Sequence, residues 1–127
     1  MLNLAIITGF LSQTKDRFHE YNAPLNVEEK FKLMSEIEGY NGVEIGFPYE
    51  VKNAKETKGI LDKYSLKVAA VNVNVKAEPE FRNGGLTSLD PEIRAKAVQF
   101  IKNAKDFAAA VDGDKVTCCP LGDGYEF

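Results

Sequence analysis

Gly42-Val43-Glu44-Ile45-Gly46-Phe47-Pro48 is the stretch from which the fold can be read. Gly42 to Phe47 forms a short strand, and Pro48 stops it because proline cannot continue a hydrogen-bonded ladder. Helical patterns flank it on both sides. Upstream, Asn26 is a good N-cap, and Glu29 three positions later completes a capping-box signature. Val27, Phe31, Met34 and Ile37 then recur every three or four residues as one apolar stripe, until the helix runs out around Gly39 to Gly42. Downstream, a second helix covers roughly Ala54 to Tyr64, with Thr57, Ile60, Leu61 and Tyr64 on its inner face. Gly59 inside it costs about 1 kcal/mol relative to alanine.

The same alternation continues outward. A first strand spans Leu2 to Thr8, a near-continuous apolar run of the kind that parallel sheets cover on both faces. Gly9 and Phe10 end it, and a polar loop runs from Ser12 to Leu25. A third strand spans Leu66 to Val75, rich in valine and interrupted by Asn72 and Asn74. After a long loop, Lys76 to Leu89, a third helix opens on Asp90 as N-cap, Pro91 at the first helical position and Glu92 at the positive end of the dipole. Its inner stripe is Ile93, Ala97, Phe100, Ile101, Ala104 and Ala108. A fourth strand, Asp114 to Cys119, stops at Pro120. The order βαβαβαβ predicts an α/β domain built on a parallel sheet.

Length and composition bound what this domain can be. With 127 residues, 44% hydrophobic and 28% charged, the chain suffices for one domain, residues 1–127, with one core. A closed eight-stranded barrel takes about 250 residues, so the pattern fits the first half of a TIM (β/α)8 barrel. No helix follows the fourth strand, which leaves that strand and the first as expected open edges. The competing architecture is a doubly wound sheet, which carries a glycine-rich phosphate loop after its first strand. Here that loop reads Gly9-Phe10-Leu11-Ser12-Gln13, with a single glycine, and helix one begins too far along to cradle a phosphate. The half-barrel is the reading that survives.

The net charge of −3 and the absence of a basic stripe argue against nucleic acid. No apolar run approaches the roughly 18 residues of a membrane span, and the N-terminus has no basic segment or small-residue cleavage site. Cys118 and Cys119 are adjacent and point to opposite faces of a strand, so no disulfide is expected and a reducing cytoplasm is the default compartment.

The segment Gly42 to Pro48 resembles the second strand of the sugar phosphate isomerase/epimerase family, the xylose isomerase-like TIM barrels that also include type II AP endonucleases. Three further features are similar to that family: the first strand ending in Thr8-Gly9-Phe10, the stretch from Phe81 through Gly84-Gly85 to Asp90-Pro91-Glu92-Ile93-Arg94, and the glycine-containing loop Cys119-Pro120-Leu121-Gly122-Asp123-Gly124-Tyr125. The resemblance covers essentially the whole chain. It implies metal-dependent interconversion of sugars or sugar phosphates, with Mn or a similar divalent metal held by Glu, Asp, His and Glu on later strands, two of the glutamates moving the substrate proton. Those strands are absent, and His19 is the only histidine, so no metal is expected to bind this chain alone. No catalytic residue is assigned to it.

TIM-barrel sites lie at the C-terminal ends of the strands, which selects candidates for substrate binding. Glu44 sits inside an apolar strand and needs either a polar lumen and a substrate hydroxyl, or a buried cation. Asn72 and Asn74 share one face and offer amide donors and acceptors to a sugar, Asn74 being nearer the strand end; a water-satisfied polar layer is the alternative. Phe10 and Phe47 follow two adjacent strands and would form an aromatic wall, or else ordinary core. Asp123, with Tyr125, belongs to the loop after the fourth strand and would contact ligand or solvent. Arg82 and His19 read as surface residues, and both cysteines as buried strand residues.

Two functions of different kind follow. In the first, the chain is the N-terminal portion of a sugar isomerase or epimerase and supplies a pocket wall. In the second, it is a non-catalytic half-barrel that covers its open face with a second copy or a complementing C-terminal half. An AP-endonuclease-like barrel is a third option, disfavoured by the acidic balance.

Overall fold

The structure, a computed structural model, describes residues 3–12 and 18–119. Four strands form one sheet: β1 (Ala5–Ile7), β2 (Gly42–Phe47), β3 (Lys67–Val73) and β4 (Val116–Cys118). Three helices join them: α1 (Val27–Ser35), α2 (Ala54–Lys63) and α3 (Pro91–Ala110). The strands lie in chain order, β1-β2-β3-β4, and every pair is parallel. A doubly wound sheet reverses its strand order at a switch point. This sheet does not, and its order is that of four consecutive staves of a barrel.

The helix starts follow the sequence signals. Asn26 accepts the Glu29 amide at 2.9 Å while Glu29 accepts the Asn26 amide at 2.8 Å, a complete capping box. Asp90 accepts the Glu92 amide at 2.8 Å, ahead of Pro91. Asn53 caps α2 in the same way through the Glu56 amide.

Three strands are shorter than their apolar runs. β1 begins at Ala5 and gives way at Thr8 to a 3-10 turn, Thr8–Ser12. β3 ends at Val73, because the Asn74 side chain accepts the amides of Lys76 and Ala77 and bends the chain into a turn. β4 is limited to the three residues that pair with β3. Apolar character extends past the ladder in each case, and pairing sets the length.

All described helices pack on one face of the sheet. Val43, Ile45 and Phe47 of β2 and Val71 and Val73 of β3 are buried there with Phe31, Met34, Leu61, Ala97, Ala104, Phe107 and Ala108 from the helices. The Phe47 and Phe107 rings lie 5.1 Å apart, tilted by 40°. Gly42, Glu44 and Gly46 alternate onto the other, concave face. On β3 the register shifts once: Val43 pairs with Val68 but Glu44 pairs with Ala70, so Ala69 is an extra residue. The bulge puts Asn72 level with Gly46 and keeps Val71 and Val73 on the core side.

Candidate functional site

Glu44 is the centre of the concave face. Its Oε1 accepts the Asn72 Nδ2–H at 2.8 Å and the Thr117 hydroxyl at 3.0 Å. One carboxylate oxygen thus joins β2, β3 and β4. The three side chains are half-buried on the side away from the helices. Both donors to this carboxylate oxygen are neutral groups, an amide and a hydroxyl.

A second cluster closes the C-terminal ends of β1 and β2. Glu50, in the loop after β2, folds back over Gly46. Its Oε2 accepts the Gly46 amide at 2.9 Å and the Thr8 hydroxyl at 2.5 Å, and its Oε1 accepts the Lys30 ammonium at 2.5 Å. Thr8 is fully buried, and its hydroxyl also lies 3.0 Å from the Glu44 carbonyl oxygen. β1 has already ended where Gly46 would seek a ladder partner, and the Glu50 carboxylate takes that place. A Cβ on residue 46 would stand 3.1 Å from Glu50 Oε2, so the glycine makes room for the carboxylate. The Lys30 and Glu50 side chains keep only 11% and 13% of their surface, a nearly buried ion pair. The Phe47-Pro48 peptide that opens this loop is cis.

Beside this pair is a cleft of about 580 Å3, bordered by Asn26, Lys30, Gly46, Tyr49, Glu50 and Asn74 among others. The Tyr49 hydroxyl donates to Glu78 Oε1 at 2.5 Å. Burial and that bond push the Tyr49 hydroxyl up to about 12, and the same bond holds the Glu78 carboxyl below the usual carboxylate range. Lys96 sits between Glu78, at 3.6 Å, and Glu80, which ties the loop after β3 to α3.

The sequence candidates therefore separate. Glu44 and Asn72 are brought together. Asn74 borders the mouth cleft instead, its Oδ1 committed to the turn. Phe47 packs in the core against Phe107 and also borders the mouth cleft, while Phe10 is 70% exposed, so the two rings do not share a wall. Asp123 and Tyr125 lie outside the described residues. Arg82 is exposed, and His19 is exposed and stacked on Tyr21. Cys118 and Cys119 are half-buried rather than buried, because β4 is an edge strand with no neighbour beyond it in the sheet.

Sequence reasoning missed Thr117, Thr8, Lys30 and Glu50. Lys30 alone left a trace, as a charged residue three positions after Val27 and beside the apolar stripe of α1. Among the described residues no three His, Cys, Asp or Glu side chains converge as metal ligands. Among the described residues, Glu44 and Glu50 are engaged with hydroxyl, amide and ammonium donors and are not arranged as ligands of a divalent metal. No described helix is long and apolar enough to cross a membrane.

A four-stranded parallel sheet in barrel order, helices on one face and polar side chains on the other, defines a partial α/β barrel. The model of the xylose isomerase-like TIM barrel family matches residues 31–126, and the chain belongs to that family. Xylose isomerases from Thermus caldophilus and Thermus thermophilus are 35% and 33% identical to it over 69 residues. That match covers 54% of this chain and 18% of each relative, so the chain matches less than a fifth of their length. Among solved structures, 3-keto-D-glucoside 4-epimerase from E. coli superposes with a TM-score of 0.58 at 23% identity, over 83% of this chain and 35% of that one. D-allulose 3-epimerase from Methylomonas sp. gives 0.55 at 23% identity, over 72% and 30%. These likenesses show the sugar isomerase and epimerase fold.

Proposed function

We propose that this chain acts as the N-terminal four-strand portion of a sugar or sugar phosphate isomerase or epimerase, and that its concave face is one wall of the substrate pocket. The observation that carries this is the Glu44 carboxylate, shared by Asn72 and Thr117 on the face opposite the helices. A carboxylate fixed by neutral donors suits a sugar: it accepts from a hydroxyl, while the amide and the threonine hydroxyl can exchange partners with it. Family membership and the names of the relatives support the substrate class.

On this reading, the described residues bind and orient substrate and do not move its proton. The divalent metal that the family resemblance implies would be held by strands beyond these four. The concave face and the open edges of β1 and β4 would be covered by a complementing C-terminal half or by a second copy. Amide resonances of the chain titrated with D-allulose test the proposal. Shifts at Glu44, Asn72 and Thr117 that vanish in Glu44→Ala are expected. Shifts that ignore the substitution, or none at these positions, would overturn it.

A further inference from the structure

We propose that the cleft over the Lys30–Glu50 pair is a second sugar subsite, so that the substrate is a glycoside with one ring on the concave face and another at the mouth. This rests on the reading that the concave face binds sugar.

The cleft offers what a pyranose uses. Tyr49 borders it with 46% of its surface exposed, and its hydroxyl is tethered to Glu78, so the ring is held in place before any ligand arrives. The amide Nδ2 of Asn74 remains a donor, since the turn uses only Oδ1. Glu50 Oε1 accepts one bond, from Lys30, and has lone-pair capacity for a hydroxyl. Lys30 has ammonium hydrogens beyond the one given to Glu50.

The charges cancel, and this selects the ligand. A phosphate would meet the Glu50 carboxylate and a cation would meet the Lys30 ammonium. A neutral polyol donates to one and accepts from the other. Depth then separates the two subsites. Gly46, under the Glu50 carboxylate, is two residues beyond Glu44 along β2, a rise of about 7 Å. The Glu50 carboxylate, folded over Gly46, stands between the two subsites.

The test uses methyl β-D-glucopyranoside, a ring with no free carbonyl, titrated into the 127-residue chain while amide resonances are followed. Shifts are expected at Gly46, Tyr49 and Asn74 and not at Thr117. Tyr49→Leu should weaken binding roughly two- to tenfold, the worth of one aromatic contact, while Tyr49→Phe, which keeps the ring and loses only the tether, weakens it less. Silence at the mouth amides, or equal binding by Tyr49→Leu in a chain whose spectrum remains folded, overturns the subsite. Should Tyr49→Leu unfold, loss of binding in Tyr49→Phe would overturn it as well, because the ring is retained there. D-allulose shifts at Glu44 and Asn72 report on the concave face separately, so either reading can fail alone.

Discussion

Replacing Lys30 by methionine should expose how much the mouth of this sheet depends on one ion pair. Lys30 and Glu50 meet at 2.5 Å with side chains 11% and 13% exposed. At an effective dielectric of about 20, two unit charges at that separation attract by roughly 7 kcal/mol. Desolvation of each ion offsets several kcal/mol of this, so the intact pair adds little net stability. Removing one partner is different, because the remaining charge keeps its desolvation cost and loses its counter-ion. Lys30→Met should therefore destabilise the chain by about 3–5 kcal/mol. Glu50 would still accept from Thr8 and Gly46, which places the result toward the lower end. With a urea m-value near about 1.5 kcal/mol/M, the midpoint followed by circular dichroism falls by about 2–3 M. The double variant Lys30→Met, Glu50→Gln removes both charges and should recover at least half of the loss. A single variant that costs less than about 1 kcal/mol, or a double variant no better than the single, would refute the claim that burial of the pair sets its energetics.

Two more outcomes are expected. Gly85→Ala places a Cβ 2.7 Å from the Val75 carbonyl oxygen, a backbone atom that cannot yield; about 1–3 kcal/mol of overpacking should lower Tm by roughly 5–15 °C in calorimetry. Tyr49 is held protonated up to about 12, so the native chain binds a proton that the unfolded chain releases near pH 10; stability should fall between pH 10 and 12, and Tyr49→Phe should reduce that slope in pH-dependent urea titrations, the raised lysines Lys58, Lys63 and Lys96 supplying the remainder.

What could be read from the sequence was local. Capping at Asn26 and Asp90 and the stripes of α1 and α3 are patterns over three or four residues, and they appear in the structure where the pattern puts them. Barrel order also followed from the sequence, through the missing glycine loop and the regular alternation of elements. The site was half legible. Glu44 stood out because a carboxylate in an apolar strand demands a reason, and Asn72 because it interrupts a run of valines. Thr117 did not, since threonine is ordinary in a strand and its partner is 73 residues away. Glu50 was invisible for a similar reason: nothing local reveals that a loop residue folds back to replace a ladder partner. Phe47 shows the converse limit. Its place at a strand end suggested a pocket wall; its parity with Val43 and Ile45 buries most of the ring in the core, and it reaches the mouth cleft only at its border.

Ala69 carries no reactive atom, yet it governs the chemistry of β3. Below it the core takes an even position, Val68; above it the core takes odd ones, Val71 and Val73. Were Ala69 a regular member of the ladder, strict alternation from Val68 would turn Asn72 toward the helices and set Val71 on the side of Glu44. The polarity of this surface is thus written in where the bulge falls as much as in composition. A lineage could exchange a hydrogen-bonding wall for a greasy one by moving the bulge along β3 past Asn72, with no side chain replaced.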